Sequence, residues 1–368
     1  MSNFFVEQEY RLWRKNVKYL YDLIFTQSLT WPSPTIQWLP NIDNKTPTTI
    51  YQKIVFSTFT GKQENENILI GGIEFPDIMH NIKPNNVSIK FSIEQSIPVS
   101  FELNKINYCP HASNLLACKT DEGPILIYDI SKNITNQYNT PSVILQGHTS
   151  GGFALDWNKI NFGKLISGGN DKFLLLFDIN KGLIHTYNKI HTDIITSVSF
   201  NNYNPKICAS VSDDSKLCII DISRNGIADQ VKFAHNKSIE GVDFSPFRAE
   251  LIATCSSDKT IKIWDMRHLH SPIYILRGHK SDVMGIKWSL HYESILASNS
   301  KDKKINIWDL NKGNKILGNK SDELLFIHGG HTNTVADFDW NPAEPMEICS
   351  VDDSNMLHIW KIPIENYI

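Results

Sequence analysis

The sequence predicts an all-β chain: a seven-bladed β-propeller with an N-terminal α-helix packed on its side. Three observations predict it. Five histidines, His148, His191, His235, His279 and His331, recur at intervals of 43, 44, 44 and 52 residues. A second register runs beside them through Asp171, Asp214, Asp258, Asp302 and Ser354, with Ser167, Ser210, Thr254, Ser298 and Ser350 four residues earlier. The stretches between these markers, such as residues 251–256 and 261–265, are short, alternating and bounded by turn residues, so they read as strands. Four short strands in about 44 residues make one blade of a propeller.

Each marker has a physical role. The Asp carboxylate can accept backbone N–H groups of a tight turn, and the His can bridge that carboxylate to the Ser or Thr hydroxyl. An aromatic nine residues after each His (Trp157, Phe200, Phe244, Trp288, Trp340) packs against the next blade. Six residues after the Asp register stands a large apolar residue (Phe177, Ile220, Trp264, Trp308, Trp360), followed in four copies by Asp178, Asp221, Asp265 and Asp309. Gly278-His279 and Trp308-Asp309 resemble the markers of the WD-repeat family.

Residues 116–129, ending in Tyr128-Asp129, read as a degenerate blade, and residues 48–101 hold material for one more. Seven blades leave about 60 residues for an N-terminal segment and insertions. The last repeat, Gly330 to Lys361, is short of an outer strand. Residues 35–39 are expected to supply it, closing the ring with an N-terminal strand and leaving no open edge. The expected division is therefore a helix and linker over 1–34 and a propeller over 35–368.

Composition agrees with a folded chain of this kind. With 41% hydrophobic and 20% charged residues in 368, it is neither disordered nor collagen-like. A formal charge of -3 asks for no polyanionic partner, so direct nucleic-acid binding is not expected. The N-terminus lacks a basic region followed by an apolar one, and no segment approaches the ~20 apolar residues that span a bilayer, so neither secretion nor a membrane partner is expected. Six scattered cysteines, none in a C-x-x-C, read as reduced buried thiols.

Two segments fall outside the repeat. Residues 9–25 have helical periodicity, with Trp13, Val17, Leu20 and Ile24 on one stripe, broadened by Leu12, Tyr19 and Leu23; Ser28, Pro32 and Pro34 end it. The second is an insertion at 311–321, which accounts for the interval of 52. It stands just before Glu323-Leu-Leu-Phe-Ile-His328-Gly-Gly-His331. Helix and loop are expected to lie together beside the closing blade and to form a groove for an amphipathic helix.

These residues carry a closer resemblance. Glu9 to Asn16, Leu20 to Leu23, Trp31 to Pro40 and Glu323 to His331 are similar to the retinoblastoma-binding, chromatin-assembly-factor small-subunit family of histone-binding WD-repeat proteins. The likeness runs on through Trp340-Asn-Pro342, Glu344-Pro345 and Ile348 to Val351 and, more weakly, over nearly the whole chain. It implies a nuclear, non-enzymatic subunit of chromatin-assembly and chromatin-modifying complexes, without a cofactor. Such a subunit holds a helix of histone four on its side and a basic tail, such as that of histone three, across its top.

Carried over by position, the groove wall is Leu20, Leu23 and Ile24 on the helix with Leu324, Leu325, Phe326 and Ile327 on the loop. Asp322 and Glu323 remain to meet basic residues. Upstream, where the family has an acidic, Pro-containing loop, this chain has Lys312, Lys315 and Lys320, which should weaken the steering of a basic partner. For the top, the matching positions are Glu64, Glu102, Asn104, Asp213, Asp282, Asp353 and Asn355. Phe153 replaces a tyrosine and Met284 a phenylalanine. Two acidic positions are lost to Gly151 and Thr196, and Glu240 stands where the family has an amide. Carboxylates beside an aromatic wall suit the Arg and Lys of an extended tail.

A hydrolase built on His279, Ser298 and Asp302 is not expected, because a constellation repeated five times is a scaffold device and no Gly-x-Ser-x-Gly elbow is present. His328 and His331 could be offered as a metal pair, but His331 belongs to the repeat and no third ligand stands nearby in sequence. No phosphate-binding glycine loop appears. The competing function is a WD-repeat chaperone of another basic cargo such as a ribosomal protein.

Overall fold

An inner strand followed by three progressively outer ones is the unit that the 44-residue period encodes. The computed structural model describes residues 3–46, 49–76, 89–132, 140–224, 226–312 and 322–363. Among these residues the strands form seven four-stranded antiparallel sheets, and α1 (Asn3–Leu20) stands outside them. Blades one to six take residues 36–99, 103–145, 155–187, 195–231, 239–277 and 283–328 in meander order. Blade seven takes Val335–Trp340, Glu347–Asp352 and Met356–Lys361, with Leu23–Ser28 as its outer strand.

The ring-closing strand is thus Leu23–Ser28, registered from Leu23↔Lys361 to Ser28↔Met356, and not residues 35–39. Those residues fall in Ile36–Thr46, the inner strand of blade one. Burial explains the exchange. Ile36, Trp38 and Leu39 are all sealed from water, as an innermost strand requires, whereas Thr26 and Ser28 are exposed and suit an outer edge. The same pairing shortens the helix predicted over 9–25. α1 ends at Leu20, and by Asp22 the backbone N–H already donates to Lys361 O at 3.0 Å. Cross-strand partners hold Ile24-Phe25-Thr26, with its two β-branched residues, extended. The insertion at 311–321 lies, from residue 313 on, outside the described residues.

The histidine register does what its spacing predicts. The Nδ1 atoms of His148, His191, His235 and His279 lie 3.0–3.1 Å from Asp171, Asp214, Asp258 and Asp302. Their Nε2 atoms lie 2.8–3.0 Å from Ser167, Ser210, Thr254 and Ser298. Each Asp also accepts the N–H two residues on, across a turn whose next residue, Lys172, Ser215, Lys259 or Lys303, has a left-handed φ of 63–72°. Burial alone would raise the Asp214 pKa, but bonds from His191, the Thr192 N–H and Lys216 hold it well below the usual carboxylate range. The fifth copy departs from the register. Ser354 occupies the Asp position, and Asp352, two residues earlier, takes over with Oδ2 2.9 Å from His331 Nδ1.

A second belt runs around the axis. In several blades the residue before the inner-strand aromatic accepts the N–H of the aromatic in the following blade. Phe200 N donates to Asp156 at 2.7 Å, Phe244 N to Ser199 at 3.3 Å and Trp288 N to Asp243 at 2.9 Å. Across the closure, Trp38 N donates to Asp339 at 3.0 Å and Tyr108 N to Gln37 at 2.9 Å. Each blade is thereby tied to its neighbour at the channel wall as well as through its apolar faces.

Candidate functional site

The side groove is built where α1 gives way to the closing strand. Tyr21, just past the helix end, is buried against Phe326 and Trp360, and Leu20, Ile24 and Leu325 pack half-buried on the same cluster. Phe326 lies on Leu324–His328, which is the outer strand of blade six and not a loop. In that strand the register skips Leu325, since Ile307 pairs with Phe326 and Trp308 with Leu324. The bulge turns Leu325 toward the helix, while Leu324 packs on the cluster between blades five and six.

Of the nine positions expected in the groove, the structure brings together Leu20, Ile24, Leu325 and Phe326, with Ile327 (43% exposed) and Asp322 open to a partner. Leu23 and Leu324 depart from expectation. Leu23 is in a strand, so it points to the face opposite Ile24 and packs between blades seven and one. Glu323 is buried, and its backbone carbonyl accepts Asp309 N at 2.7 Å.

A hydrogen-bonded chain fixes the helix over this floor. Trp13 Nε1 donates to Tyr21 Oη at 2.9 Å, and Tyr21 Oη meets His328 Nδ1 at 2.8 Å. His328 Nε2 in turn meets His358 Nδ1 at 3.1 Å. Burial, and then the neighbouring histidines, push His328 well below the ordinary histidine range. The tertiary fold thus supplies His358 as the third imidazole that the sequence spacing did not reveal, and ligand atoms of His328, His331 and His358 lie within 4.8 Å of one another. Their chemistry is already committed. His331 spends both nitrogens on Asp352 and Ser350, and His328 spends both on Tyr21 and His358, so a metal would have to displace four hydrogen bonds.

The top-face positions collect at the starts of inner strands and at the turns beside them. A channel of about 1000 Å³ runs along the axis, and Asn104, Phe153, Asp213, Glu240, Met284 and Asp353 are among its lining residues. Phe153 is 56% exposed, the open aromatic wall. Glu240 Oε1 accepts the hydroxyls of Ser238 and Ser257 at 2.6 Å, which fixes its carboxylate. Burial raises the Asp213 pKa, and the charges of Glu240, Asp193 and Asp214 raise it further, as expected of acids gathered without a cation.

Four positions are otherwise engaged. Asp282 pairs with Lys301 at 3.0 Å, Glu64 accepts Trp31 Nε1 at 3.2 Å, and Asn355, at φ 65°, donates to Thr30 O. Glu102 is half-buried, and its carbonyl accepts Asp121 N. Packing accounts for both lost acids. A Cβ at Gly151 would lie 2.2 Å from Asp121 O, and Thr196 uses its hydroxyl on Val211 O and Ile239 O, stapling blade four to blade five.

Comparison with known proteins bears on what these surfaces are. Residues 8–77, which hold α1, the closing strand and most of blade one, match the family model of the histone-binding protein RBBP4 and its equivalent in the CAF1 complex. WD-domain G-beta repeats match at 182–221, 229–265 and 270–309. The chain is 45% identical to histone acetyltransferase type B subunit 2 of Encephalitozoon cuniculi, covering 97% of each protein. It is 40% identical to the protein of the same name from Schizosaccharomyces pombe, over 96% of this chain and 90% of that one.

The chain belongs to the RBBP4 and CAF1 family of histone-binding WD-repeat proteins.

Each WD-repeat match begins on the outer strand of one blade and ends on the third strand of the next, so the sequence repeat of this family member straddles two blades. The most reactive-looking group lies in blade three. Lys119 Nζ donates to Ser167 Oγ at 2.6 Å, beside His148 and Asp171, and burial pushes the amine down to about 7. A lysine of that pKa next to a Ser-His-Asp set is the pattern of an activated nucleophile. Here Lys119 and Ser167 are both 0% exposed, so no substrate reaches them.

Proposed function

We propose that the chain is a nuclear, non-catalytic, histone-binding subunit of chromatin-assembly and chromatin-modifying complexes, holding a helix of histone four in the side groove and a basic tail like that of histone three over the upper channel mouth. The observation that carries it is near end-to-end likeness to two proteins named histone acetyltransferase type B subunit 2. The groove supports the helix assignment, because an apolar floor flanked by exposed Ile327 and Asp322 suits an amphipathic basic helix. The unneutralised Asp213 and Glu240 beside Phe153 support the tail assignment. Burial of the hydroxyls in all five His sites supports a scaffold over an enzyme. A ribosomal-protein chaperone is the reading these relatives do not favour.

The test is fluorescence anisotropy with a labelled peptide of the first helix of histone four. Ile327→Asp changes an exposed groove side chain, so the fold survives while affinity drops at least about tenfold. Unchanged affinity in a folded variant would remove the groove assignment.

A further inference from the structure

The face opposite the proposed tail site carries a second organised surface. There the turn after each inner strand is capped by the residue that follows the aromatic. Asn158 Oδ1 accepts the N–H groups of Ile160 and Asn161, Asn201 Oδ1 those of Tyr203 and Asn204, and Ser245 Oγ those of Phe247 and Arg248. The caps also bond from blade to blade: Asn158 Nδ2 to Pro205 O at 2.8 Å and Asn201 Nδ2 to Ala249 O at 2.6 Å. Arg248 continues the arc to Glu293 of blade six at 2.7 Å.

On this rigid arc large apolar side chains point into solvent. Ile160, Tyr203 and Phe247 occupy the same place in three successive turns, two residues after the cap, and Phe162 and Leu290 flank them. All five are between 38% and 53% exposed. Contiguous apolar exposure on an ordered surface marks a binding site, because binding orders little that is not already ordered.

Charge selects the occupant. Acids of this face are spent within it: Glu293 on Arg248, Glu250 on Arg267, and Asp178 and Asp221 on N–H groups of their own turns. Lys164, Lys181 and Lys206, at the blade-three and blade-four end, make no ion pair among the described residues. We infer that this lower face docks an acidic protein segment whose apolar side chains seat along Ile160, Phe162, Tyr203 and Phe247 while its carboxylates meet Lys164 and Lys206. Duplex DNA offers phosphates to the lysines but no aliphatic or aromatic groups to the arc, so the peptide is the occupant the surface favours.

The experiment selects a phage-displayed random peptide library on the full chain after depletion on the double variant Phe162→Asp, Lys206→Glu. The expected peptides combine Asp or Glu with Leu, Phe or Trp. A synthetic representative is then titrated by fluorescence anisotropy. Affinity should fall about tenfold on Phe162→Asp and several-fold on Lys206→Glu, and should weaken as salt rises. Binding of the histone-four helix peptide stays unchanged in both variants, which also shows that they fold. Should Phe162→Asp not fold, Phe247→Ser reports on the same arc. Recovery of no peptide beyond the depleted background, of peptides lacking acids, or of a short DNA duplex bound with the same sensitivity to variants overturns the inference.

Discussion

Trp13 stands in the space that a side chain at residue 330 would need: a Cβ on Gly330 would come within 2.5 Å of Trp13 Cζ2. The indole also lies parallel to the His358 ring, with centroids 6.0 Å apart. The glycine before His331 is thus a seat for the helix as well as a repeat marker. Gly330→Ala is expected to lift α1 and speed hydrogen exchange over Asn3–Leu20, with a several-fold loss of groove binding and little change in the melting of the ring. Exchange rates equal to wild type would show that the seat is not needed.

Removing residues 1–20 and removing residues 1–28 should have unlike results. The first deletion takes the helix and spares Leu23–Ser28; the second leaves Met356–Lys361 as an uncovered edge. Thermal unfolding is expected to show a modest loss for the shorter deletion and a collapse in Tm, with aggregation, for the longer. Equal behaviour of the two would contradict the closure.

Asp213 and Asp353 both have raised pKa values, from burial first and from neighbouring acids second. Their ionised forms attract a basic tail, and they take up protons at a higher pH than ordinary carboxylates do. Tail affinity should therefore fall as pH drops from 7 toward 5, more steeply than Asp ionisation in water would give. Asp213→Asn should cost about 1 kcal/mol at pH 7 and flatten that profile. Isothermal titration across this range provides the check, and a flat wild-type profile would contradict the site.

Glu347 is buried, accepts Asn341 Nδ2 at 2.9 Å, and has its pKa raised by burial to about 7. The folded state therefore keeps the proton where the unfolded chain, with an ordinary pKa near 4.5, has lost it. Stability from this group is present below about pH 4.5 and is lost as pH rises to 7. Glu347→Gln should raise Tm at pH 8 and change it little at pH 4.5. A gain of equal size at both values would show that the carboxyl is not the source.

The local code was legible in the residues. The histidine, hydroxyl and aspartate spacings fixed the blade, because each marker satisfies a bond inside one turn or one pair of strands. The seven-fold count and the apolar run from Leu324 to Ile327 could be read in the same way. The Asp352 substitution was masked because it lies off the register, although an acid two residues before Ser354 is a signal that could have found it. Periodicity gave Leu23 and Ile24 to a helix because both fit its stripe, and nothing local opposes that fit.

Tertiary pairing decided the rest. An 18-residue helix ends at Leu20 because Met356–Lys361 offers a ladder to the next six residues, and that ladder turns Leu23 away from the groove. Which of two N-terminal segments closes the ring depends on which can stay dry at the axis and which can face water. That choice exists only once the two ends of the chain meet. The same meeting brings Trp13, Tyr21, His328 and His358 into one hydrogen-bonded chain, from positions up to 345 residues apart. Sequence alone determined the repeating unit, since its bonds are local; closure, groove and channel mouth are non-local, and only packing of the whole ring placed them.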